Sequence, residues 1–229
     1  MSEDGKRRPI RSYVLRAGRM TPAQERAFQE HWGRWGIDYS ERLLEPEAAF
    51  GRDGPLILEI GFGMGDSLVE MAAAAPDSNF IGIEVHRPGV GKLMHSMAAR
   101  GVDNIRVYCH DAVEVLQNCI ADQSLDRVQV FFPDPWHKKR HHKRRLIQPP
   151  FVDLLVSRLK PGATLHLATD WENYAGQMME VLSATEGLAN TRPPGQYAPR
   201  PESRPLTKFE RRGERLGHGV WDLVFTRAG

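Results

Sequence analysis

The sequence predicts an α/β protein: a parallel sheet with helices on both faces. Two observations carry that reading. From Pro55 onward, short apolar runs alternate with longer stretches of helical pattern, the order that builds a parallel sheet through crossover helices. The first of these runs ends in a glycine-rich turn, Gly61-Phe62-Gly63-Met64-Gly65, which opens the next helix, as where a strand turns sharply beside a ligand.

Taken in order, residues 1–10 are polar, basic and aperiodic, the composition of a disordered tail. Residues 11–16, starting Arg11-Ser12-Tyr13-Val14, are expected to order only on binding. Thr21-Pro22-Ala23-Gln24 reads as a helix start, with a Thr cap, Pro at the first helical position and Gln three after the cap. That helix should run to about Trp32, with Trp32 and Trp35 as packing residues. Residues 36–54 read as a loop-rich connection ending in the turn Arg52-Asp53-Gly54-Pro55. Strands are expected over 56–60, 80–83, 105–109, 128–132 and 164–168, with helices over 67–75, 88–100, 112–120, 151–159 and 171–185. Lys160-Pro161-Gly162 reads as a turn. Residues 186–206, rich in Pro, Arg and Gly, read as a long loop, and 220–226 alternates as a final antiparallel strand.

The chain is 229 residues long, enough for one core with extensions. No apolar run approaches a membrane span, and the polar, basic N-terminus is not a secretory signal. Cys109 and Cys119 lack metal-ligand spacing, so a reduced, cytoplasmic setting fits, with both thiols as packing residues and no metal site. The net charge of +2 says less than its distribution. Positive charge gathers in 6–19, 138–145 and 200–215, while many acids lie between Glu59 and Asp126, which suggests one positive face for a polyanion. Scattered solvated charge explains 6–19 about as well.

Three acids end three successive expected strands. Glu59 precedes the glycine turn, Glu84 ends the second strand, and Asp111 follows the third. Open α/β sheets bind ligands at those ends. The turn spells G-x-G-x-G, and Asp66 stands where a dinucleotide fingerprint would have its last glycine. An acid before the glycines opposes a pyrophosphate and suits a cation. S-adenosylmethionine fits, with a sulfonium, an amino group and no phosphate. Glu84 would accept from a ribose diol and Asp111 from an adenine amino group. Gly61 and Gly63 would let the backbone approach the ligand. Any one of these acids alone reads more simply as a helix cap or surface residue; the set of three is the specific signal.

The other marked stretch is Val130-Phe131-Phe132-Pro133-Asp134-Pro135-Trp136, followed by an unbroken run of His, Lys and Arg to Arg145. A strand aims an acid that two prolines stiffen, and the basic run offers charge to a polyanion. Trp136 reads as a base-stacking residue or as an anchor for the loop.

The sequence resembles the single-chain bacterial tRNA (guanine-N7-)-methyltransferases over nearly its whole length. The resemblance is carried by Glu59-Ile60-Gly61-Phe62-Gly63, Gly82-Ile83-Glu84-Val85-His86, Pro133-Asp134-Pro135-Trp136-His137-Lys138 and Thr207-Lys208-Phe209-Glu210. It implies a class I, Rossmann-like methyltransferase fold with a mostly parallel seven-stranded sheet, a basic extension with one helix over 1–54 and a methyltransferase domain over 55–229. It also implies S-adenosyl-L-methionine as donor and a guanosine of the tRNA variable loop as acceptor. By resemblance, Glu59, Glu84, Asp111 and Asp134 serve the cofactor; Lys138, Asp170, Thr207, Lys208, Phe209 and Glu210 serve the substrate; and Arg140, His141, Lys143, Arg144 and Arg145 serve RNA. Asp134 is the residue expected to be central to catalysis, by orientation and charge rather than by removing a proton. Asp170 also reads as a cap for the helix after it, and Thr207 to Glu210 as a capping box, T-x-x-E. The expected partner is tRNA, with no membrane, no obligatory protein partner, and a monomer rather than a homodimer. A non-catalytic RNA-binding protein on the same fold is the competing reading, which intact glycines and all three strand-end acids oppose.

Overall fold

The structure, a computed structural model, describes residues 12–13, 18–206, 210 and 219–229. Helix α1 (Pro22–Trp35) starts on the capping box that its sequence spells: the Gln24 N–H donates to Thr21 Oγ1 at 3.3 Å, and the Thr21 N–H donates back to Gln24 Oε1 at 2.8 Å. It continues past Trp32 because Trp35 is buried, its indole N–H donating to Asp103 at 2.6 Å. Two short elements follow, β1 (Gly36–Ile37) and α2 (Pro46–Phe50). The alternating region then gives β2 (Leu56–Ile60), α3 (Asp66–Ala74), β3 (Asn79–Ile83), α4 (Arg87–Arg100), β4 (Ile105–Tyr108), α5 (Ala112–Asn118), β5 (Leu125–Phe131), α6 (Pro149–Arg158), β6 (Leu159–Thr169) and α7 (Glu172–Ala184). Strands β7 (Leu188–Asn190) and β8 (Trp221–Arg227) complete one sheet, in the order β1-β4-β3-β2-β5-β6-β8-β7. The first six strands of that order are parallel to one another, and β8 runs antiparallel to both β6 and β7.

The sheet has eight strands rather than seven, because Gly36–Ile37 pairs with β4 where the sequence suggests only a connection. The extension before Pro55 accordingly carries two helices and a strand, not one helix. Strand β7 lies in the stretch expected to be a long loop. Two- and three-residue edge strands are held by backbone pairing and leave too little side-chain alternation to be read. The expected turn at Lys160-Pro161-Gly162 is a bulge inside β6: the pairing steps from Leu125↔Leu159 to Arg127↔Thr164, and the surplus residues loop out.

Side chains alternate across the central strands and feed two cores. Leu56, Leu58 and Ile60 of β2 pack with α5, α6 and α7; Ile57 packs on the other face with α1, α3 and α4. Glu59, by the same alternation, lies on the α3 side. Both faces of the central strands are therefore buried, so β2 and β3 are buried along their whole length. Cys109 and Cys119 are free thiols, as expected of packing residues. Among the described residues no helix is long and apolar enough to cross a membrane.

Candidate active site

The strand order sets the carboxyl ends of β4, β3, β2 and β5 side by side. A cavity opens there, and Gly61, Glu84, Asp111 and Asp134 all line it. Gly61 and Gly63 have φ of +74° and +59°, and nothing lies within 4 Å of where a side chain would begin, so bare backbone faces the cavity side of the turn. The turn is pressed down on α4: a side chain at Gly89 would start 2.1 Å from the Gly63 carbonyl oxygen.

Glu84 ties the turn to β3. Its Oε2 accepts from the Gly63 N–H at 2.8 Å, and its Oε1 accepts from the Val85 and His86 N–H groups at 2.8 and 2.9 Å. Asp111 caps α5, Oδ1 accepting from Val113 and Glu114, while its Oδ2 makes no hydrogen bond among the described residues. Glu59 lies below this surface rather than on it. It is 3% exposed and accepts from Gln129 Nε2 at 2.8 Å. Burial pushes its carboxyl up to about 7; the Gln129 hydrogen bond opposes that rise and the Glu84 charge adds to it.

Asp134 is exposed at the cavity, in a loop whose backbone is held on both sides. Phe132 and Trp136 flank the Pro-Asp-Pro segment with φ of 53° and 46°. Each costs of order 1–3 kcal/mol unless its surroundings fix it. The Phe132 N–H donates to the Ala168 carbonyl at 2.8 Å. The Trp136 indole N–H donates to the Ser12 carbonyl at 3.0 Å, and the Arg144 guanidinium lies 3.9 Å over the ring. Trp136 thus anchors the loop, the second of its two sequence readings. Ser12 and Tyr13 line the cavity together with Phe132, Pro133 and Asp134 of that loop.

The basic run forms a 3₁₀ turn over Lys139–Arg144, started by Lys138. Lys138, Lys139, Arg140 and Lys143, in the stretch that follows Asp134, are exposed. Loss of water and the cations Arg140, Arg144, Lys138 and Lys143 hold His141 below its ordinary value, so the charge of this surface is carried by the Lys and Arg side chains.

Residues 53–223 match a family model described as "Putative methyltransferase". The chain is 59% identical over 221 residues to the tRNA (guanine-N(7)-)-methyltransferase of Marinobacter nauticus, covering 96% of this chain and 93% of that one. It is 60% identical to the enzyme of the same name from Shewanella amazonensis, covering 96% and 92%. The chain belongs to the tRNA (guanine-N(7)-)-methyltransferase family. The solved 16S rRNA methyltransferase KamB aligns with a TM-score of 0.55 at 13% identity, over 94% of this chain and 97% of that one, which supports the fold alone.

Within this methyltransferase the structure corrects part of the RNA reading. Arg145, expected to serve RNA, is turned into the protein. It is 2% exposed, donates to the Pro135 carbonyl at 2.8 Å, to Gln177 at 2.6 Å and to Asn173 at 2.8 Å, and lies 4.6 Å over the Tyr174 ring. A run of like charges hides this, because the turn inside it points one member inward. Glu210 is also turned inward, against the expectation that it faces a base. It is 3% exposed and 2.6 Å from Arg204 Nη2. Thr207, Lys208 and Phe209 lie outside the described residues. Asp170 is exposed and does not cap α7, which starts on Trp171 without a side-chain cap. Gln129, reading as one more strand residue, gave no sequence signal; only the register Glu59↔Gln129 puts it beside the buried acid.

If Arg145 holds the loop and the exposed cations hold RNA, the two should separate by salt. Replacing Lys139, Arg140 and Lys143 by Ala should flatten the slope of log affinity against log salt by roughly 0.7–0.9 for each phosphate no longer neutralised. Arg145→Met should leave that slope as it is and lower turnover instead. Filter binding over a salt series, beside single-turnover rates, reads both.

Proposed function

We propose that this protein transfers the methyl group of S-adenosyl-L-methionine to N7 of a guanosine in the variable loop of tRNA. The observation that carries the reading is the joining of Gly61, Glu84, Asp111 and Asp134 around one cavity, with exposed cations in the stretch of chain that follows Asp134. The chemistry of the lining suits this cofactor. Among the described residues, carboxylates and bare backbone line the cavity and no Lys or Arg does, which disfavours a phosphate-bearing cofactor and favours a cationic one. The open backbone at Gly61 and Gly63 leaves room for close approach.

When bound, the cofactor supplies an activated methyl group on a sulfonium. Guanine N7 already carries a lone pair and no proton, so the residues around it need not remove one. Their work is placement, and aligned reactants can gain effective molarities on the order of 10⁵ M or more. Glu84, fixed by three backbone N–H groups, is positioned for a ribose; Asp111 Oδ2 for the adenine amino group. Asp134 accepts from the base and offsets positive charge as it develops on the purine. Lys138 and the exposed part of the basic run take phosphates. The edge strands β1 and β7, two and three residues long, offer little backbone for a second copy to pair with, which favours a monomer; tRNA as substrate is compatible with a cytoplasmic location.

Glu59 supplies a pH signature. Its carboxyl must be ionised to favour a cationic cofactor, and it titrates at about 7 in the folded protein. Cofactor affinity should therefore rise with pH and level off above 7, the fall from the plateau to pH 6 being at most about tenfold because Glu59 acts from beneath the cavity surface. The sign for stability is opposite: the folded value is raised above the ordinary 4.5, so the cofactor-free protein loses stability as pH climbs from there toward 7. Calorimetric titrations from pH 5.5 to 8.5 should show the slope in the native protein and a flat line in Glu59→Gln. The function itself is tested by labelled-methyl transfer to bulk tRNA followed by nucleoside analysis; label on any nucleoside other than 7-methylguanosine would refute it.

A further inference from the structure

We infer that the Trp171 indole is the surface on which the target purine stacks, a deepening of the methyl-transfer reading on which it rests. Trp171 is the most exposed of the five tryptophans, at 39%, while the others are buried or half-buried. Packing covers only part of the indole, His137 taking one edge contact. Helix capping does not use the rest. Trp171 occupies the N-cap of α7 with no side-chain hydrogen bond, a position where Ser, Thr, Asp or Asn would stabilise the helix. The residue there serves neither core nor cap, which is the pattern of a site chosen for function.

Its place in the sheet says what it meets. Phe131 of β5 and Ala168 of β6 are paired, and the Phe132 N–H donates to the Ala168 carbonyl. Asp134 is the third residue beyond Phe131, and Trp171 the third beyond Ala168, so the acid and the indole leave two adjacent strand ends together. His137, from the loop that carries Asp134, abuts Trp171 at 82° with ring centroids 4.3 Å apart. That contact braces the indole against the acid's own loop.

The charge around it selects a base over a phosphate. Exposed Asp170 and Glu172 flank Trp171 in sequence, while the exposed cations lie in the separate 3₁₀ turn. Carboxylates repel phosphates but accept from the ring N–H and amino group of a guanine. An aromatic face offers every base a stacking surface. Phosphates and the purine thus have different receivers, the 3₁₀ turn for the first and the β5–β6 strand ends for the second.

The test compares Trp171→Ala and Trp171→Phe with the native protein on tRNA. Trp171→Ala should lower kcat/KM for tRNA on the order of 10- to 100-fold, the range typical of removing a base–aromatic stack, and Trp171→Phe should recover most of it. Cofactor affinity and the thermal midpoint should stay as in the native protein. On tRNA made abasic at the acceptor position, native protein and Trp171→Ala should bind alike. An unimpaired Trp171→Ala variant overturns the inference, as does a Trp171→Phe variant no better than it, a shared loss of cofactor affinity, or a penalty that persists on abasic tRNA. A native protein that transfers no methyl group to tRNA sinks the functional reading as well, whereas an active native protein with an unimpaired Trp171→Ala variant sinks this inference alone.

Discussion

Asp134→Asn should lower the single-turnover rate on the order of 10²- to 10³-fold while tRNA affinity changes little, the scale seen when one preorganised electrostatic group is removed from a reacting centre. The expectation rests on how the carboxylate is held rather than on its mere presence in the cavity. Proline fixes the backbone on either side of it. Beyond the prolines, two residues sit at positive φ, and each is fixed by contacts outside the loop: Phe132 by β6, Trp136 by Ser12 and Arg144. Arg145 pins the Pro135 carbonyl from below. A surface loop acid would not need so many restraints, and an acid that only bound tRNA would gain little from them.

Those restraints make a second variant informative. Asp134→Glu keeps the charge and moves it by about a bond length, and misplacement on the order of 1 Å can cost 10²-fold where catalysis is placement. Asp134→Glu should therefore resemble Asp134→Asn in rate and the native protein in tRNA affinity. Rates measured at saturating cofactor, beside tRNA binding by filter assay, decide it. A fall in affinity as large as the fall in rate would make Asp134 a binding residue.

Much of this architecture can be read from the sequence, for reasons that differ by element. The central strands are legible because both faces are buried, which writes largely apolar runs into Leu56–Ile60 and Asn79–Ile83, broken only by Glu59 and opened by Asn79. Glu84, Asp111 and Asp134 are legible because a charged residue after such a run interrupts a strong pattern. The edge strands β1 and β7 are not, since their pairing is made by backbone that every residue shares. Arg145 and Glu210 show a different limit. Charge written in sequence does not say which way a side chain turns, and both turn inward, Arg145 to Asn173 and Gln177 far along the chain and Glu210 to nearby Arg204. Trp171 is the reverse case: an apolar residue beginning an expected helix reads as core, and only the coordinates show it facing water.

Arg204→Met should destabilise the protein by about 3–5 kcal/mol at neutral pH, the cost of leaving buried charges without their partner. Arg204 is 1% exposed and sits between two carboxylates that are nearly as buried. It grips Asp222 with two bonds of 2.8 Å, from Nε to Oδ1 and Nη2 to Oδ2, and its Nη2 lies 2.6 Å from Glu210 Oε1. His166 Nε2 approaches Asp222 Oδ1 at 2.7 Å from β6, so the network joins β6, β8 and the chain leading to residues 207–209. The guanidinium also lies 5.6 Å from the Phe132 ring, at the root of the loop that carries Asp134. For a chain of this size the loss corresponds to a thermal midpoint lower by roughly 6–20 °C. The pH dependence separates this cause from poorer packing. In the native protein, burial alone would raise the Asp222 carboxyl, but hydrogen bonds from His166 and Arg204 and their charges hold it below its ordinary value. That contribution is therefore present above the unfolded value and is lost as pH falls through the folded one. In Arg204→Met the two acids have lost that cation, their folded values rise, and the variant gains relative stability as they protonate. The gap between native and variant should accordingly be widest near pH 7.5 and narrow toward pH 4.5 in urea unfolding, whereas a gap of constant width would mean that the guanidinium stabilises the fold by its volume and not by its charge.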